Sequence, residues 1–363
     1  MDLTSLFFTD YSTSRARFRE AASRPGWSLQ SHPIDAVGPD GRPLTIDVAI
    51  RGPDIGPALL ITGGLHGVEG AFGSAVQLAL MRRWEESPAL APPMRCAMVH
   101  GLNPYGFAWG RRFDENNVDP NRNFLLEGQA FAGSPPGYAA LDPLLNPARA
   151  PRSREPFLLR ALWNVARHGM PALKQSIAAG QYDYPRGLFF GGSGPCEISR
   201  VLERRFGEWI AGSDEVIHFD FHTGLGRWAT VKLLLDHEPT PAVRAELTDW
   251  FGERTFEVGH AEGVSYTMRG GFGEWCSARA GARQYLYLCA EFGTYGPIHV
   301  VSALRIENMA HHYGVSGTRE WKRAKALLQE TFCPASPRWR TRTVSRSVEM
   351  VQTTISKLKA RSG

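Results

Sequence analysis

Short apolar runs of strand-forming residues, separated by helical stretches, constrain the fold of this chain most. The runs are LTIDVAI (44–50), ALLITG (58–63), RCAMVH (95–100), EVIHFDF (215–221), ATVKLLL (229–235) and QYLYLCAEF (284–292). Several are apolar almost throughout, which is typical of strands buried on both faces of a largely parallel or mixed sheet. Helical stretches are predicted at 70–86, 155–180, 195–212, 241–254, 299–313 and 317–331. The alternation predicts an α/β fold with a mixed, largely parallel central sheet flanked by helices.

The length of 363 residues suits one large α/β domain. The interval 125–214 differs from the rest because its part up to about 194 contains SPPG, DPLLNP and GLFFGGSGP around one helical block. We expect a single domain over 1–363 that carries this interval as an insertion packed beside the sheet. A C-terminal helical extension is predicted over 317–363, ending in a basic amphipathic surface helix.

The composition restricts the cellular location and the classes of binding partner that we expect for this protein. No run approaches the roughly 18 uncharged apolar residues of a membrane span, and the apolar patch near the N-terminus is too short for a signal peptide. We therefore expect a cytoplasmic protein with no membrane partner. The 5 cysteines include no CxxC pair, which argues against a disulfide framework and a cysteine zinc site. The net charge of +5 is spread along the chain without a recognition motif, so no nucleic-acid partner is predicted.

Polar residues follow two of the predicted strands directly. HGVE after ALLITG supplies His66 and Glu69, and FDFHTGLG places His222 at the exit of a later strand. Open α/β sheets bind ligands at the carboxyl ends of their strands, and residues three apart on a helical turn share a face. Two histidines and one carboxylate form a three-ligand set of a catalytic zinc. An HxxE pair alone is also common in loops, and a strand-end histidine also occurs in hydrogen-bonded turns.

The stretch between these residues carries a denser motif. NPYGFAWGRRFDENNVDPNRNF (103–124) combines Asn-Pro-x-Gly, paired arginines and Val-Asp-Pro-Asn-Arg-Asn-Phe. Following the HxxE in this order, it resembles the zinc carboxypeptidase superfamily of the carboxypeptidase A type. SYTMRGGFGEW (265–275) resembles the tyrosine loop of that family, and CAEFGTYG (289–296) resembles its catalytic-glutamate strand. HGVEGAFGSAVQ with DFHTGLG is most similar to a bacterial branch of the superfamily classed as a domain of unknown function.

The resemblance implies one Zn²⁺ ion held by His66, Glu69 and His222. Asp119 would accept a hydrogen bond from the ring N–H of His66 and so set its tautomer. Glu291 would take a proton from the zinc-bound water, whose pKa the metal lowers to about 7, and pass it to the leaving amine. An unpaired carboxylate at the end of an otherwise apolar strand is costly, which favours a functional role for Glu291.

The resemblance also implies residues that bind the substrate. Arg112 would polarise the scissile carbonyl and stabilise the oxyanion, although the choice between Arg112 and the adjacent Arg111 rests on spacing alone. Asn121 and Arg122 would bind a substrate carboxylate, for which the arginine fork is suited. Tyr266 would close over the substrate and donate a hydrogen bond.

Each assignment has a structural alternative. Arg112 could form a surface ion pair. Asp119 and Asn121 could be turn formers around Pro120, and a tyrosine before a glycine pair, such as Tyr266, also occurs in plain turns.

The predicted function is a zinc-dependent hydrolase that cleaves an amide bond next to a free carboxylate, a carboxypeptidase-type metallopeptidase acting on small peptides. The alternative is an amidohydrolase that resembles the aspartoacylase and succinylglutamate desuccinylase branch and acts on N-acyl amino acids. A second alternative is a non-catalytic binding protein on the same scaffold. The sequence departs from the family at Thr223, where serine or alanine is usual, and in the 125–214 interval, which we expect to reshape or cover the cleft.

Overall fold

A computed structural model describes residues 2–152, 157, 163, 169, 175–258, 268–281 and 283–362. Its centre is an eight-stranded sheet with the order β1-β2-β4-β3-β5-β8-β6-β7. The strands are β1 (Ser28–Val37), β2 (Pro43–Arg51), β3 (Ala58–Gly63), β4 (Arg95–His100), β5 (Glu215–Gly224), β6 (Val231–Leu235), β7 (Phe256–Val258) and β8 (Gln284–Gly293). The six predicted apolar runs coincide with β2, β3, β4, β5, β6 and β8.

The middle of the sheet is parallel and its flanks are mixed. Strands β4, β3, β5 and β8 pair in parallel, as do β6 and β7, whereas β1–β2, β2–β4 and β8–β6 are antiparallel. The predicted mixed, largely parallel sheet is therefore confirmed. The carboxyl ends of β3, β5 and β8 lie side by side at one edge of the sheet, which is where such sheets bind ligands.

Two strands were not predicted. Strand β1 lies at an edge, is mostly exposed or half-buried, and contains Pro33. Proline is tolerated on edge strands because no partner strand needs its missing N–H. Strand β7 at the other edge has only three residues. Both lack the continuous apolar run that marks a strand covered on two faces.

The described helices cover both faces of the sheet. They are α1 (Tyr11–Ala22), α2 (Gly70–Glu86), α3 (Pro104–Trp109), α4 (Tyr138–Leu145), α5 (Glu197–Ile210), α6 (Pro241–Phe251), α7 (Phe272–Ala280), α8 (Pro297–Tyr313), α9 (Arg319–Phe332) and α10 (Pro337–Ser362). Helices α1, α3, α4 and α7 were not predicted. The predicted helix 155–180 lies largely outside the described residues. Within its predicted range, the described residues 175–178 are helical. Among the described helices, none has the length and apolar character needed to cross a bilayer.

Two apolar cores lie on opposite faces of the sheet. Ile61 of β3 and Phe221 of β5 belong to the core that also contains Trp339 of α10. Leu60, the neighbour of Ile61 on β3, belongs to the core that contains Trp209 of α5. This is the period-two alternation of strand side chains. Helix α5 thus lies inside the 125–214 interval but packs on the sheet. The predicted C-terminal helix α10 buries one face against the first core, and its basic residues are exposed or half-buried.

Candidate metal centre and active site

A tight turn places His66 and Glu69 beyond the end of β3. His66 precedes a single 3₁₀ turn, Gly67–Glu69, and α2 begins at the next residue. The turn is tied to the 103–124 segment, because Val68 N–H donates to the carbonyl of Arg111 (2.7 Å). A side chain at Gly67 would overlap with the backbone of Gly106. The glycine therefore lets two chain segments pass in close contact at this point.

His222 reaches the same point from the neighbouring strand β5. Its Nδ1 lies 3.2 Å from Nδ1 of His66 and 3.1 Å from Oε2 of Glu69, while His66 Nδ1 lies 2.9 Å from Glu69 Oε1. All three residues are buried. Four-coordinate zinc, with bonds of about 2.0–2.2 Å, places its ligand atoms about 3.3 Å apart. The ligand atoms of the three residues lie within 4.8 Å of one another and therefore fit a single metal ion.

Each histidine has a carboxylate behind its outer ring nitrogen. His66 Nε2 lies 3.4 Å from Asp119 Oδ1, and His222 Nε2 lies 2.6 Å from Asp220 Oδ2. Carboxylates in this position orient metal-binding imidazoles and raise their basicity. Asp220 was not predicted from the sequence, although FDFH contained the signal. Residues two apart on a strand share a face, so Asp220 lies beside His222.

Neighbouring strands hold Asp220 in place. Thr62 Oγ1 donates to its Oδ1 (2.6 Å), and Tyr287 OH donates to its Oδ2 (2.8 Å). Burial by itself raises the pKa of Asp220, but the charge of His222 and its hydrogen bond outweigh burial and hold that pKa well below its usual range. Burial acts to lower the pKa of His222, whereas the charge of Asp220 holds it well above its usual range. The pair is therefore tightly coupled.

The charges of Glu69 and Asp119 are likewise stabilised. Burial acts to raise the pKa of Glu69, but His66 and His222 lower it to about 2. Burial also acts against ionisation of Asp119, yet Arg112 and then other cationic neighbours hold its pKa well below the usual range. Both carboxylates are thus ionised at neutral pH, which is the form that binds or supports a cation.

Glu291 lies on β8 directly opposite His222 in the β5–β8 pairing. Its Oε1 accepts a hydrogen bond from Leu225 N–H (2.8 Å), and the side chain is buried. Burial, and next the charge of Glu69, raise the pKa of Glu291 to about 7. A carboxyl group with this pKa can both accept and return a proton near neutral pH.

The structure separates the two adjacent arginines. Arg112 Nε donates to Asp119 Oδ2 (2.9 Å), and its Nη1 lies 3.9 Å from Glu69 Oε1. Arg111 turns away and pairs with Glu307 (3.0 Å). Arg112 is thus the arginine beside the candidate metal site, and its partner is a buried carboxylate rather than a surface one.

Asn121 and Arg122 follow Asp119 in a short 3₁₀ turn. Asn121 Oδ1 accepts a hydrogen bond from Phe272 N–H (3.0 Å) at the start of α7. Arg122 is fully buried, and its Nε and Nη2 both donate to the carbonyl of Ala178, at 2.9 and 2.7 Å. The 125–214 interval therefore covers this guanidinium. Tyr266 lies outside the described residues.

Phe189 of the same interval lies against both arginines. The guanidinium carbons of Arg112 and Arg122 are 5.4 and 5.8 Å from the centre of its ring. These are distances at which a cation is attracted to an aromatic face. Phe189 has a φ of 58°, in the left-handed region that costs energy for a bulky residue. Phe189 was not predicted from the sequence, where its signal was limited to its place in an aromatic pair followed by two glycines.

Thr223 also helps to define the site. Its backbone N–H donates to Glu69 Oε2 (3.1 Å), and its Oγ1 donates to the carbonyl of Phe332 (2.6 Å). The hydroxyl thus anchors the end of β5 to the last turn of α9. The hydroxyl gives the buried carbonyl of Phe332 a partner that an alanine at this position would not supply.

Solved structures with similar folds include bovine thrombin-activatable fibrinolysis inhibitor in complex with tick carboxypeptidase inhibitor. It has 11% identity and a TM-score of 0.52, and the match covers 97% of each chain. Carboxypeptidase A from Helicoverpa armigera has 12% identity, a TM-score of 0.48, and coverage of 88% of this chain and 73% of that one. A protein from Shewanella denitrificans that is provisionally named a metallopeptidase has 16% identity, a TM-score of 0.44, and coverage of 85% and 92%.

The near-complete match to the bovine protein identifies the class: the chain has the α/β fold of carboxypeptidase-like proteins, as the sequence motifs predicted. Within that class, it belongs to the DUF2817 family, described as a protein of unknown function, whose model matches residues 7–346. A comparison with curated proteins gives no match.

Proposed function

We propose that this protein is a metal-dependent hydrolase of amide bonds, a carboxypeptidase-type metallopeptidase that uses one zinc ion. The observation that carries the proposal is the convergence of His66, Glu69 and His222, with Glu291 on the adjacent strand. Two histidines and a carboxylate are a donor set of catalytic zinc sites, which keep a further position open. A bound zinc ion supplies Lewis acidity, which polarises a carbonyl and lowers the pKa of water to about 7.

Glu291 is the proton carrier in this proposal. Its carboxylate accepts a proton from the attacking water and returns it to the nitrogen of the leaving amine, so that the amide bond breaks as the amine is neutralised. The hydrogen bond from Leu225 N–H fixes one carboxylate oxygen and orients the other. The raised pKa of Glu291, about 7, matches this exchange.

Arg112 is the electrostatic partner of the reacting carbonyl. Its guanidinium is held by Asp119 and by the ring of Phe189, so it is oriented before substrate binds. A preoriented cation stabilises the negative charge that develops on the carbonyl oxygen. Asp119 contacts both Arg112 and His66, and so couples the oxyanion-binding group to the candidate metal site.

We assign Asn121 and Arg122 to the substrate carboxylate, with Tyr266 closing over the substrate. Arg122 is fully buried and donates to the carbonyl of Ala178, so the 125–214 interval lies against the proposed carboxylate-binding group. That observation favours a second candidate function, an amidohydrolase acting on N-acyl amino acids, because a small substrate needs less room. Both candidates use the same residues for proton transfer.

The test is a substrate panel with zinc-loaded protein. Carboxypeptidase activity requires turnover of short peptides with a free C-terminal carboxylate and little turnover of their C-terminal amides. Hydrolysis of N-acyl amino acids with peptides left intact selects the second candidate. The Glu291→Gln variant should lose about 10²–10⁴-fold in kcat, whereas the exposed control Glu253→Gln should retain activity. Zinc-loaded protein that hydrolyses neither class, or a Glu291→Gln variant with unchanged kcat, contradicts the proposal.

A further inference from the structure

A partly open patch lies on the sheet beside Glu291. Tyr287, Cys289 and Glu291 alternate along β8 and so share one face. Cys289 is half-buried although Leu288 and Ala290 on either side are buried. Its cross-strand neighbour on β6, Leu234, is also half-buried. The face is therefore partly accessible at Cys289 and Leu234, two residues along β8 from the proposed proton carrier Glu291. We call this accessible area the opening.

Asp236 lies at the end of this opening. It follows β6 two residues after Leu234. Its Oδ2 and the ring of Tyr287 both lie against Gly273 of α7, where any side chain would overlap with them. The glycine thus makes room for a carboxylate between the helix and the sheet.

Asp236 is half-buried, and one of its two carboxylate oxygens has no partner among the described residues. Its Oδ2 is buried and has no hydrogen bond to the residues that the structure describes. Burial, with the nearby negative charges of Glu274 and Asp220, raises its pKa to about 7. A buried carboxyl without a partner is unfavourable. A cation placed beside it would relieve that cost.

The first turn of α7 connects this carboxylate to the substrate-binding segment. Phe272 N–H is bonded to Asn121 Oδ1, and the next residue, Gly273, contacts Asp236. Asn121 and Asp236 therefore contact consecutive residues of α7, and Asp236 lies on the sheet face that carries Glu291. A substrate residue bound between Asn121 and Glu291 could direct its side chain into the opening.

We propose that Asp236 forms the end of a side-chain pocket that binds a cationic group, so that the preferred substrates release an amino acid with a lysine-like or arginine-like side chain. This inference rests on the proposed hydrolase function for its biological meaning. The interaction is a charge-assisted hydrogen bond in a water-poor site, which is stronger than a neutral one.

The competing explanation is structural. Asp236 lies near the N-terminus of α7, where a negative charge is favourable to a helix. In that case Asp236 stabilises the fold, and removal of its charge affects the turnover of every substrate equally. The two explanations differ in whether removal of the charge changes discrimination between a cationic side chain and a neutral side chain of the same length.

The first experiment measures binding of L-lysine and L-norleucine by calorimetry at about pH 8, in wild type, Asp236→Asn and the surface control Asp249→Asn. Norleucine has nearly the shape of lysine without the ammonium group. Wild type and Asp249→Asn should bind lysine roughly ten- to a hundredfold more tightly than norleucine, and Asp236→Asn should lose that preference. Equal binding of the two amino acids by wild type, or no binding of either, overturns the inference.

The second experiment compares kcat/KM for two acylated substrates that release lysine or norleucine. A lysine preference that Asp236→Asn removes, with turnover of the norleucine substrate retained, supports the inference. Equal loss of both rates together with a lower melting temperature supports the helix explanation and overturns the inference of a cation pocket. If no substrate is hydrolysed but lysine binding still depends on Asp236, the proposed function fails and the cation pocket stands.

Discussion

Asp220 Oδ2 lies 2.6 Å from His222 Nε2, on the side of the imidazole opposite to the candidate metal site. Both residues belong to β5, and the carboxylate is held by Thr62 and Tyr287 from the strands on either side. The sheet thus sets the ring orientation of His222 through a hydrogen bond rather than through apolar packing alone.

This relationship predicts that Asp220 sets metal affinity. The Asp220→Asn substitution keeps the shape of the side chain but removes the charge that raises the basicity of His222. We expect zinc affinity, measured by competition with a chromogenic chelator, to fall about 10- to 100-fold. Asp214→Asn, near the other end of the strand, is the control. Unchanged affinity in Asp220→Asn would show that the carboxylate does not support the metal site.

Arg122 should be important for stability as well as for substrate binding. Its buried guanidinium donates hydrogen bonds to the carbonyls of Ala178 and Asn121, two half-buried residues. Truncation in Arg122→Ala leaves these oxygens without donors, and we expect the free energy of unfolding in urea to fall by roughly 2–4 kcal/mol. The exposed control Arg323→Ala should cost less than about 0.5 kcal/mol. A similarly small change in Arg122→Ala would mean that the guanidinium is not part of the folded core.

Gly67 should tolerate no side chain. In Gly67→Ala the new methyl group overlaps with the backbone of Gly106, so the metal-binding turn and the 103–124 segment must separate. We expect both the melting temperature and the zinc content to fall. Gly207→Ala is the matched control, because its Cβ meets open space within α5 and should stabilise the helix by up to about 1 kcal/mol. Normal zinc content in Gly67→Ala would refute the predicted close contact.

Glu307 should make the fold sensitive to acid. Burial acts to raise its pKa, but the charges of Arg111 and Lys325 lower it from 4.5 to about 2. A carboxyl with a lowered pKa in the folded state contributes stability that is fully present above the unfolded value and is lost as the pH falls through the folded value. The shift corresponds to roughly 3 kcal/mol.

The check is urea unfolding of metal-free protein between about pH 7 and pH 2. Wild type should lose stability between about pH 4.5 and pH 2, and Glu307→Gln should be less stable at neutral pH with a shallower acid dependence. The exposed control Glu320→Gln should follow wild type. Parallel curves for wild type and Glu307→Gln would show that this buried ion cluster does not contribute to the acid response.

Sequence patterns predicted the central strands because these strands are apolar on both faces. ALLITG and RCAMVH have the same bounds as β3 and β4, and every residue in them is buried. Helix α1 was missed because its sequence, YSTSRARFREAA, is mostly polar and buries only a few residues, among them Tyr11 and Phe18. A helix with so short an apolar stripe can be predicted only when the surface that it packs against is known.

The same contrast holds at the site. His66, Glu69 and His222 come together because parallel strands place their carboxyl ends at one edge of the sheet. Spacing alone favoured Arg112 over Arg111. The structure gives the physical reason for the difference, because Arg111 pairs with Glu307, 196 residues away, and Arg112 contacts Asp119. The Phe189 contact with two arginines likewise arises only from tertiary packing. So does the burial of Asp236 Oδ2 without a hydrogen-bond partner among the described residues.

The central claim is that His66, Glu69 and His222 hold one metal ion, and metal stoichiometry by mass spectrometry tests it most directly. Purified protein exchanged into metal-free buffer after zinc loading should retain about one zinc per chain. His66→Ala, Glu69→Ala and His222→Ala should each retain almost none while remaining folded by circular dichroism, and the exposed control His237→Ala should match wild type. Wild-type protein without stoichiometric metal, or full zinc content in the His222→Ala variant, would contradict the account.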